Sequence, residues 1–327
     1  MKQLIILSGK GGTGKTSVAA ALAHLASQEL SLVMADADVD AANLDLLLAP
    51  TKLEEHAFMG GQVAVVDPAL CTGCGACYDV CRFEAIIAPA PGQAQVPIID
   101  RLACEGCAAC VHRCPAQAIR TEEQQAGLWF RSQTRFGPLL HAHLFAGQEN
   151  SGKLVTVVKQ QARQAALDEN RPLVIIDGPP GIGCPVISAS AGADLALLVA
   201  EPTVSGTHDL ERILSTLSHF RVPALACVNK ADLNEDRAKA IEEFCTVHGV
   251  ENVGRLPYDD CVTEAMVHGQ PVTVYRPDSG IAASMRTVWE RVRERLGLEP
   301  SQEQLRHLPC MQSSPLTRPP KPRIVSP

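Results

Sequence analysis

Aromatic residues are scarce: Phe, Trp and Tyr together make up 4% of the 327 residues. So few ring faces argue against a surface that stacks exposed bases. Positive charge is not in excess either, and the net charge of −7 leaves no global basic field to draw the chain to DNA or anionic lipid. No apolar run is long enough to span a bilayer. The run Leu4-Ile5-Ile6-Leu7 is too short for a signal peptide and leads straight into a glycine loop. A cytoplasmic protein is expected, and in that compartment the thirteen cysteines point to metal rather than to disulfides. The 46% hydrophobic content supplies the core of one large α/β domain with room for a small extra module.

Hydrophobic periodicity sets out the framework. Gln3–Leu7 reads as a buried strand, 15–27 as a helix, and Leu32–Ala35 as a strand ending at Asp36, a βαβ opening. From Val63 to Arg120 the chain turns rich in Cys, Pro, Gly and Ala and lacks a long periodic helix. Patterning returns with a helix over 152–168 and a strand over 173–176 ending at Asp177. A strand over 195–199, a helix over 207–219 and a strand over 224–228 ending at Asn229 come next. Helices over 237–248 and 281–296 close the fold. Alternating strands and helices predict an α/β fold with a mostly parallel, doubly wound sheet. The cysteine-rich stretch breaks that alternation and is expected to be an inserted small α+β domain. The expected division is a discontinuous main domain over 1–62 and 121–300, an insert over 63–120, and a disordered Pro-rich tail over 301–327.

Gly9-Lys10-Gly11-Gly12-Thr13-Gly14-Lys15-Thr16 fits G-x-x-x-x-G-K-T between a strand and a helix, the context of a phosphate loop. Its glycines let successive backbone N–H groups face phosphates. Lys15 is placed for the β/γ-phosphates and the Thr16 hydroxyl for Mg²⁺. Asp36-Ala37-Asp38 and Asp177-Gly178-Pro179-Pro180-Gly181 put carboxylates at C-terminal strand ends, facing that loop.

The pattern KGGTGKT, with its second lysine Lys10, resembles the deviant loop of the MinD/ParA/nitrogenase-iron-protein ATPases. The resemblance implies that Lys10 reaches the nucleotide of a second subunit, in a homodimer or a heterodimer with a related ATPase. It implies that Asp38 positions the attacking water, that Asp177 holds Mg²⁺ through water, and that the Gly181 N–H senses the γ-phosphate. It further implies that Asn229 reads the purine edge, with Pro257 in the base pocket. Asn229-Lys230-Ala231-Asp232 also resembles the guanine-reading motif of GTPases; the deviant loop is the stronger motif, so Mg-ATP is the expected ligand.

Cys71, Cys74, Cys77 and Cys81 follow C-x2-C-x2-C-x3-C, and Cys104, Cys107, Cys110 and Cys114 repeat it at an offset of 33 residues. This duplication resembles the bacterial two-cluster ferredoxin. The resemblance implies two 4Fe–4S clusters, each taking its fourth cysteine from the other run. One would use Cys71, Cys74, Cys77 and Cys114, the other Cys104, Cys107, Cys110 and Cys81. Arg82 stands where the first run would have a proline. Zinc favours separated C-x2-C pairs instead.

The whole, over about residues 1–300, resembles MinD-superfamily ATPases with an inserted ferredoxin domain. That implies an ATPase whose nucleotide-dependent dimer switch is coupled to its clusters, for electron transfer to, or metal-centre maturation of, a redox or metalloprotein partner. A positioning ATPase of the MinD/ParA kind is the alternative, as is a purely fold-stabilising role for the clusters. No glutamine amidotransferase segment, nucleic-acid surface or terminal membrane-binding helix is read in the chain. Cys184, seven residues after Asp177, matches a cluster-ligand offset in the nitrogenase iron protein, but the loop Glu149–Lys153 lacks that protein's other cysteine. A packed residue at a helix start is the expectation for Cys184. His141 and His143 read as neighbours on one strand face, and Cys227, Cys245, Cys261 and Cys310 as structural or incidental.

Overall fold

The computed structural model describes residues 1–88, 96–148 and 150–299. The Pro-rich tail and Cys310 lie outside the described residues. Strand β1 (Lys2–Ser8) leads through the glycine loop to α1 (Lys15–Ser27) and β2 (Leu32–Asp36). A short helix α2 (Leu44–Leu48) and the 16-residue strand β3 (Thr51–Val66) follow. The cysteine segment carries α3 (Ala76–Val80), β4 (Ile86–Ile87), β5 (Ile98–Ile99) and α4 (Ala109–Arg113). Strand β6 (Ile119–Thr134) returns to the main body and β7 (Gly137–Leu144) reverses again. Then come α5 (Ser151–Asp168), β8 (Leu173–Pro180), α6 (Cys184–Ser190), β9 (Leu195–Ala200), α7 (Gly206–His219) and β10 (Ala224–Asn229). The chain continues with α8 (Glu235–Val247), β11 (Glu251–Leu256), α9 (Cys261–Val267), α10 (Val272–Tyr275) and α11 (Gly280–Leu296).

Nine strands form one sheet in the order β11-β10-β9-β1-β8-β2-β7-β6-β3. The seven from β11 to β7 are parallel, whereas β6 and β3 are antiparallel additions at one edge. Side chains of β1 alternate between faces: Leu4 and Ile6 pack with α1 and α11, and Ile5 and Leu7 pack with α5 and α7. Helix α1 suits its place because Ala19, Ala20, Ala21, Ala23 and Ala26 combine high helix propensity with little bulk, and all are buried. Each strand and helix expected from the hydrophobic pattern of the parallel part is present. The edge was less legible. Most of β3 is exposed over its first seven residues and its ladder to β6 is interrupted by irregularities, so period-2 alternation is weak there.

That edge positions the cysteine segment. Gly127 on β6 pairs with Leu144, the last residue of β7, yet β6 begins eight residues earlier at Ile119. Strands β3 and β6 therefore run on as a free two-stranded ribbon, roughly 25 Å past the end of β7. Because β7 is parallel to β2 and β1, the ribbon projects from the sheet end that carries the glycine loop. The cysteine segment closes its tip. No helix of the described residues is long and apolar enough to cross a membrane.

Candidate functional site

The glycine loop opens into a cavity of about 430 Å³ lined by Gly11, Gly12, Gly14, Lys15, Thr16, Asp38, Asn229, Pro257 and Tyr258, among others. Gly14 stands immediately before α1 with φ +91° and abuts the Asn229 amide, so a side chain would be strained there and would strike Asn229. Lys15 is buried at the first turn of α1. Asp177 and Asp36 lie side by side on β8 and β2, fully buried. Neither oxygen of the Asp177 carboxylate has a hydrogen-bond partner. Burial raises its pKa to about 6, and the Thr16 hydroxyl and Lys15 pull the other way. Burial likewise raises Asp38, with Lys15 opposing. A buried carboxylate with free oxygens beside a threonine hydroxyl is a suitable donor set for a hydrated Mg²⁺, and the neighbouring lysine suits the phosphates instead.

Asp36 does different work. Its Oδ1 accepts the N–H of Asp38 at 3.1 Å, and Oδ2 accepts those of Asn43 and Leu44 at 3.1 and 3.0 Å. It braces the loop that carries Asp38. Burial, followed by repulsion from Asp177, holds its pKa well above the usual carboxylate range.

Three expected nucleotide contacts are occupied within the chain. The Gly181 N–H donates to Ser8 O at 3.0 Å. Asn229 Nδ2 donates to Thr13 O at 2.7 Å, bracing the phosphate loop. Lys10 Nζ lies 3.0 Å from Glu201 Oε2 and donates to Thr203 Oγ1 at 3.1 Å. Glu201 also binds Lys230 Nζ at 2.8 Å, and Lys230 reaches Gly12 O at 3.3 Å. Sequence reasoning missed Glu201, although its place one residue after a buried parallel strand is a signal of the same kind as Asp36 and Asp177. Asp232, the carboxylate of the guanine-reading pattern, stands outside the cavity lining and accepts the Tyr258 N–H at 2.6 Å.

The eight cysteines of the two runs line two further cavities. One is bounded by Cys71, Cys74, Cys77 and Cys114, with Tyr78, Pro97 and Ile119. The other is bounded by Cys81, Cys104, Cys107 and Cys110, with Ala64, Phe83 and Ile99. Each joins three thiols of one run to the fourth of the other. Their thiols ring a space; among the described residues no three His, Cys, Asp or Glu side chains are grouped to hold a single metal ion. Burial raises the Cys77 and Cys110 thiols above their ordinary range.

The remaining candidates fall elsewhere. Cys184 is exposed at the start of α6, with Gly152 of α5 against it; Glu149 lies outside the described residues. His141 shares a 2.9 Å hydrogen bond with Ser132 Oγ and packs on Phe130, and burial lowers its pKa. Cys227, Cys245 and Cys261 are buried, which pushes their thiols up to about 12, 11 and 11.

A parallel sheet with a deviant phosphate loop at the carboxyl end of its central strand defines a P-loop nucleotide-binding protein. Residues 4–272 match the CobQ/CobB/MinD/ParA nucleotide binding domain, and the chain belongs to this family of P-loop ATPases. It is 34% identical over 294 residues to an uncharacterized protein of Methanocaldococcus jannaschii, covering 89% of this chain and 96% of the relative. It is 24% identical over 300 residues to an iron-sulfur cluster carrier protein of Pyrococcus horikoshii, covering 86% and 83%. Among solved structures, the septum site-determining protein MinD of Pyrococcus horikoshii with Mg-ADP superposes with a TM-score of 0.56 at 19% identity. That match spans 91% of this chain and 98% of the other, and it shows a shared fold.

Proposed function

We propose that this chain binds and hydrolyses Mg-ATP and couples a nucleotide-dependent dimer switch to two 4Fe–4S clusters. The coupling would serve electron transfer to, or metal-centre maturation of, a partner protein. The observation that carries this reading is the pair of four-thiol cavities on a ribbon that leaves the sheet at its phosphate-loop end.

The cavities fit the group. Each offers four thiols around a largely apolar space, the donor set of a cubane. When bound, such clusters supply one-electron transfer. The chain's own residues would do the rest. Lys15 and the loop N–H groups would hold phosphate, and Thr16 and Asp177 the Mg²⁺. Asp38 would orient water for attack, and Lys10 would cross to the second subunit. Asp232, tied to the Tyr258 backbone, is turned to loop-holding, which favours adenine over guanine.

A continuous set of contacts joins the two parts. Asp36 braces the Asp38 loop. Val39 O in that loop accepts the Leu144 N–H at 3.2 Å, and the Phe145 N–H donates to Ala126 O on the ribbon at 2.8 Å. Val39 and Ala126 are buried, so a shift of the Asp38 loop presses on the base of the ribbon.

The testing experiment is anaerobic reconstitution followed by measurement of cluster midpoint potentials with and without Mg-ATP. A nucleotide-dependent shift is the expected result, because linked sites must influence one another. Potentials indifferent to Mg-ATP would remove the coupling. Binding of liposomes or DNA only with ATP would favour a positioning role instead.

A further inference from the structure

The cysteine segment is duplicated in geometry as well as in spacing. The Asp67 N–H donates to Ala118 O, and the Asp100 N–H to Ala85 O, both at 2.7 Å. At the ribbon tip Val65 pairs with Arg120 and Val66 with Ile119; displaced by the same offset, Ile98 pairs with Ile87 and Ile99 with Ile86. The ribbon tip and the β4–β5 pair are therefore mates. By that register, Ala64 is the mate of Pro97.

The mates differ in one atom that matters. Each lines one thiol cavity: Ala64 that of Cys81, Cys104, Cys107 and Cys110, and Pro97 that of Cys71, Cys74, Cys77 and Cys114. The Ala64 N–H donates to Cys104 Sγ at 3.4 Å. Antiparallel alternation turns this amide away from β6, because Asp67 spends its own N–H on the β6 side. Pro97 has no N–H to offer. The Cys104 loop also sits directly on the ribbon: a Cβ at Gly106 would come within 2.9 Å of the Gln62 carbonyl carbon. Among the described residues, the other amide aimed at a thiol of these runs is that of Ala118, at 3.3 Å from Cys114 Sγ, and it follows Cys114 within the cysteine segment itself.

We propose that the Ala64 amide sets the potential of the cluster held by Cys81, Cys104, Cys107 and Cys110, and that Pro97 denies the other cluster the equivalent contact. This rests on the two-cluster reading above. Reduction adds one electron, and so one negative charge, with no bond made or broken. An N–H dipole aimed at a ligating sulphur stabilises that charge and raises the potential. Ala64 lies on the strand that runs down into the nucleotide-binding sheet. Among the described residues, this is the amide of the main framework that bonds to a thiol of the two runs.

The test is a potentiometric titration read by electron paramagnetic resonance on the reconstituted full chain, with iron counted, for wild type, Ala64→Pro and Pro97→Ala. Proline at position 64 removes the donor at a strand edge that carries no ladder bond. It is expected to lower one midpoint and leave the other. The reduced-to-oxidised ratio of the affected cluster at fixed potential should fall about tenfold, equivalent to 59 mV for one electron. Pro97→Ala is expected to raise the other midpoint and leave the first. Unchanged midpoints in Ala64→Pro, or both clusters moving together in either variant, overturn the proposal. If Ala64→Pro fails to load iron, Pro97→Ala decides alone, and an unchanged midpoint there overturns it. A wild-type chain that assembles no cluster overturns the two-cluster reading itself, a failure visible in the iron count before any potential is measured.

Discussion

Lys10 Nζ lies 3.0 Å from Glu201 Oε2 within its own chain. The lysine expected to serve a second subunit is stored at home, by a carboxylate that also holds Lys230 at 2.8 Å. Burial pushes the Glu201 pKa up, but hydrogen bonds from Lys230 and Lys10 outweigh it and the net shift is downward. In the proposed dimer this pair would be exchanged for contacts across the interface. With Glu201→Gln the stored state of each subunit loses about 1 kcal/mol, and the ATP-dependent dimer should form about fivefold more readily for each pair exchanged. Sedimentation velocity against a nonhydrolysable ATP analogue reads this. An unchanged dimer constant would show that the pair is not a store.

The lysines and aspartate of the glycine loop and cavity should separate by role. Lys15→Ala is expected to abolish nucleotide binding in calorimetry. Lys10→Ala and Asp38→Ala should keep binding within a few fold while hydrolysis falls about 100-fold or more, as is usual for groups acting only in the transition state. Loss of binding in Asp38→Ala would place that carboxylate at the ligand rather than at the water.

Cysteine substitutions should sort by cavity and not by run. Wild type should hold about eight irons per chain, and any single ligand change about four. Cys81→Ser and Cys107→Ser are expected to leave the same residual spectrum, and Cys74→Ser and Cys114→Ser the other. If Cys81→Ser instead matched Cys74→Ser, the thiols would be partitioned by run.

His24 gives a pH dependence outside the site. It packs on Phe136 and bonds Thr273 Oγ1 at 2.9 Å. Burial first, then Arg135 and Arg286, lowers its pKa to about 4 from 6.5. The folded state therefore binds fewer protons than the unfolded state between those values. Its contribution is complete above pH 6.5 and is lost as pH falls toward 4, amounting to about 2 kcal/mol by pH 5. Urea unfolding at pH 7 and pH 5 should show a smaller difference for His24→Gln than for wild type. Equal differences would mean that His24 is charged in the fold.

What could be read from the chain alone was whatever is local. The phosphate loop, the aspartates at strand ends and both cysteine runs are short motifs whose chemistry depends on spacing along the backbone. The five central parallel strands, β10, β9, β1, β8 and β2, are continuous apolar runs, legible because both of their faces are buried, whereas β7 and β11 beside them carry polar residues and gave no such signal. The resemblance to two-cluster ferredoxins already implied the crossed grouping of the thiols that line the two cavities. Contacts between residues far apart in sequence needed the fold. Glu201 meets Lys10, Asn229 meets the Thr13 carbonyl, and Asp232 meets the Tyr258 amide only because parallel strands bring their carboxyl ends to one edge. The ribbon escaped a pattern reading because an exposed, irregular edge strand has little hydrophobic alternation. The difference between Ala64 and Pro97 acquires meaning only when strand register aims one backbone amide at a sulphur and sets a proline in the mirrored place.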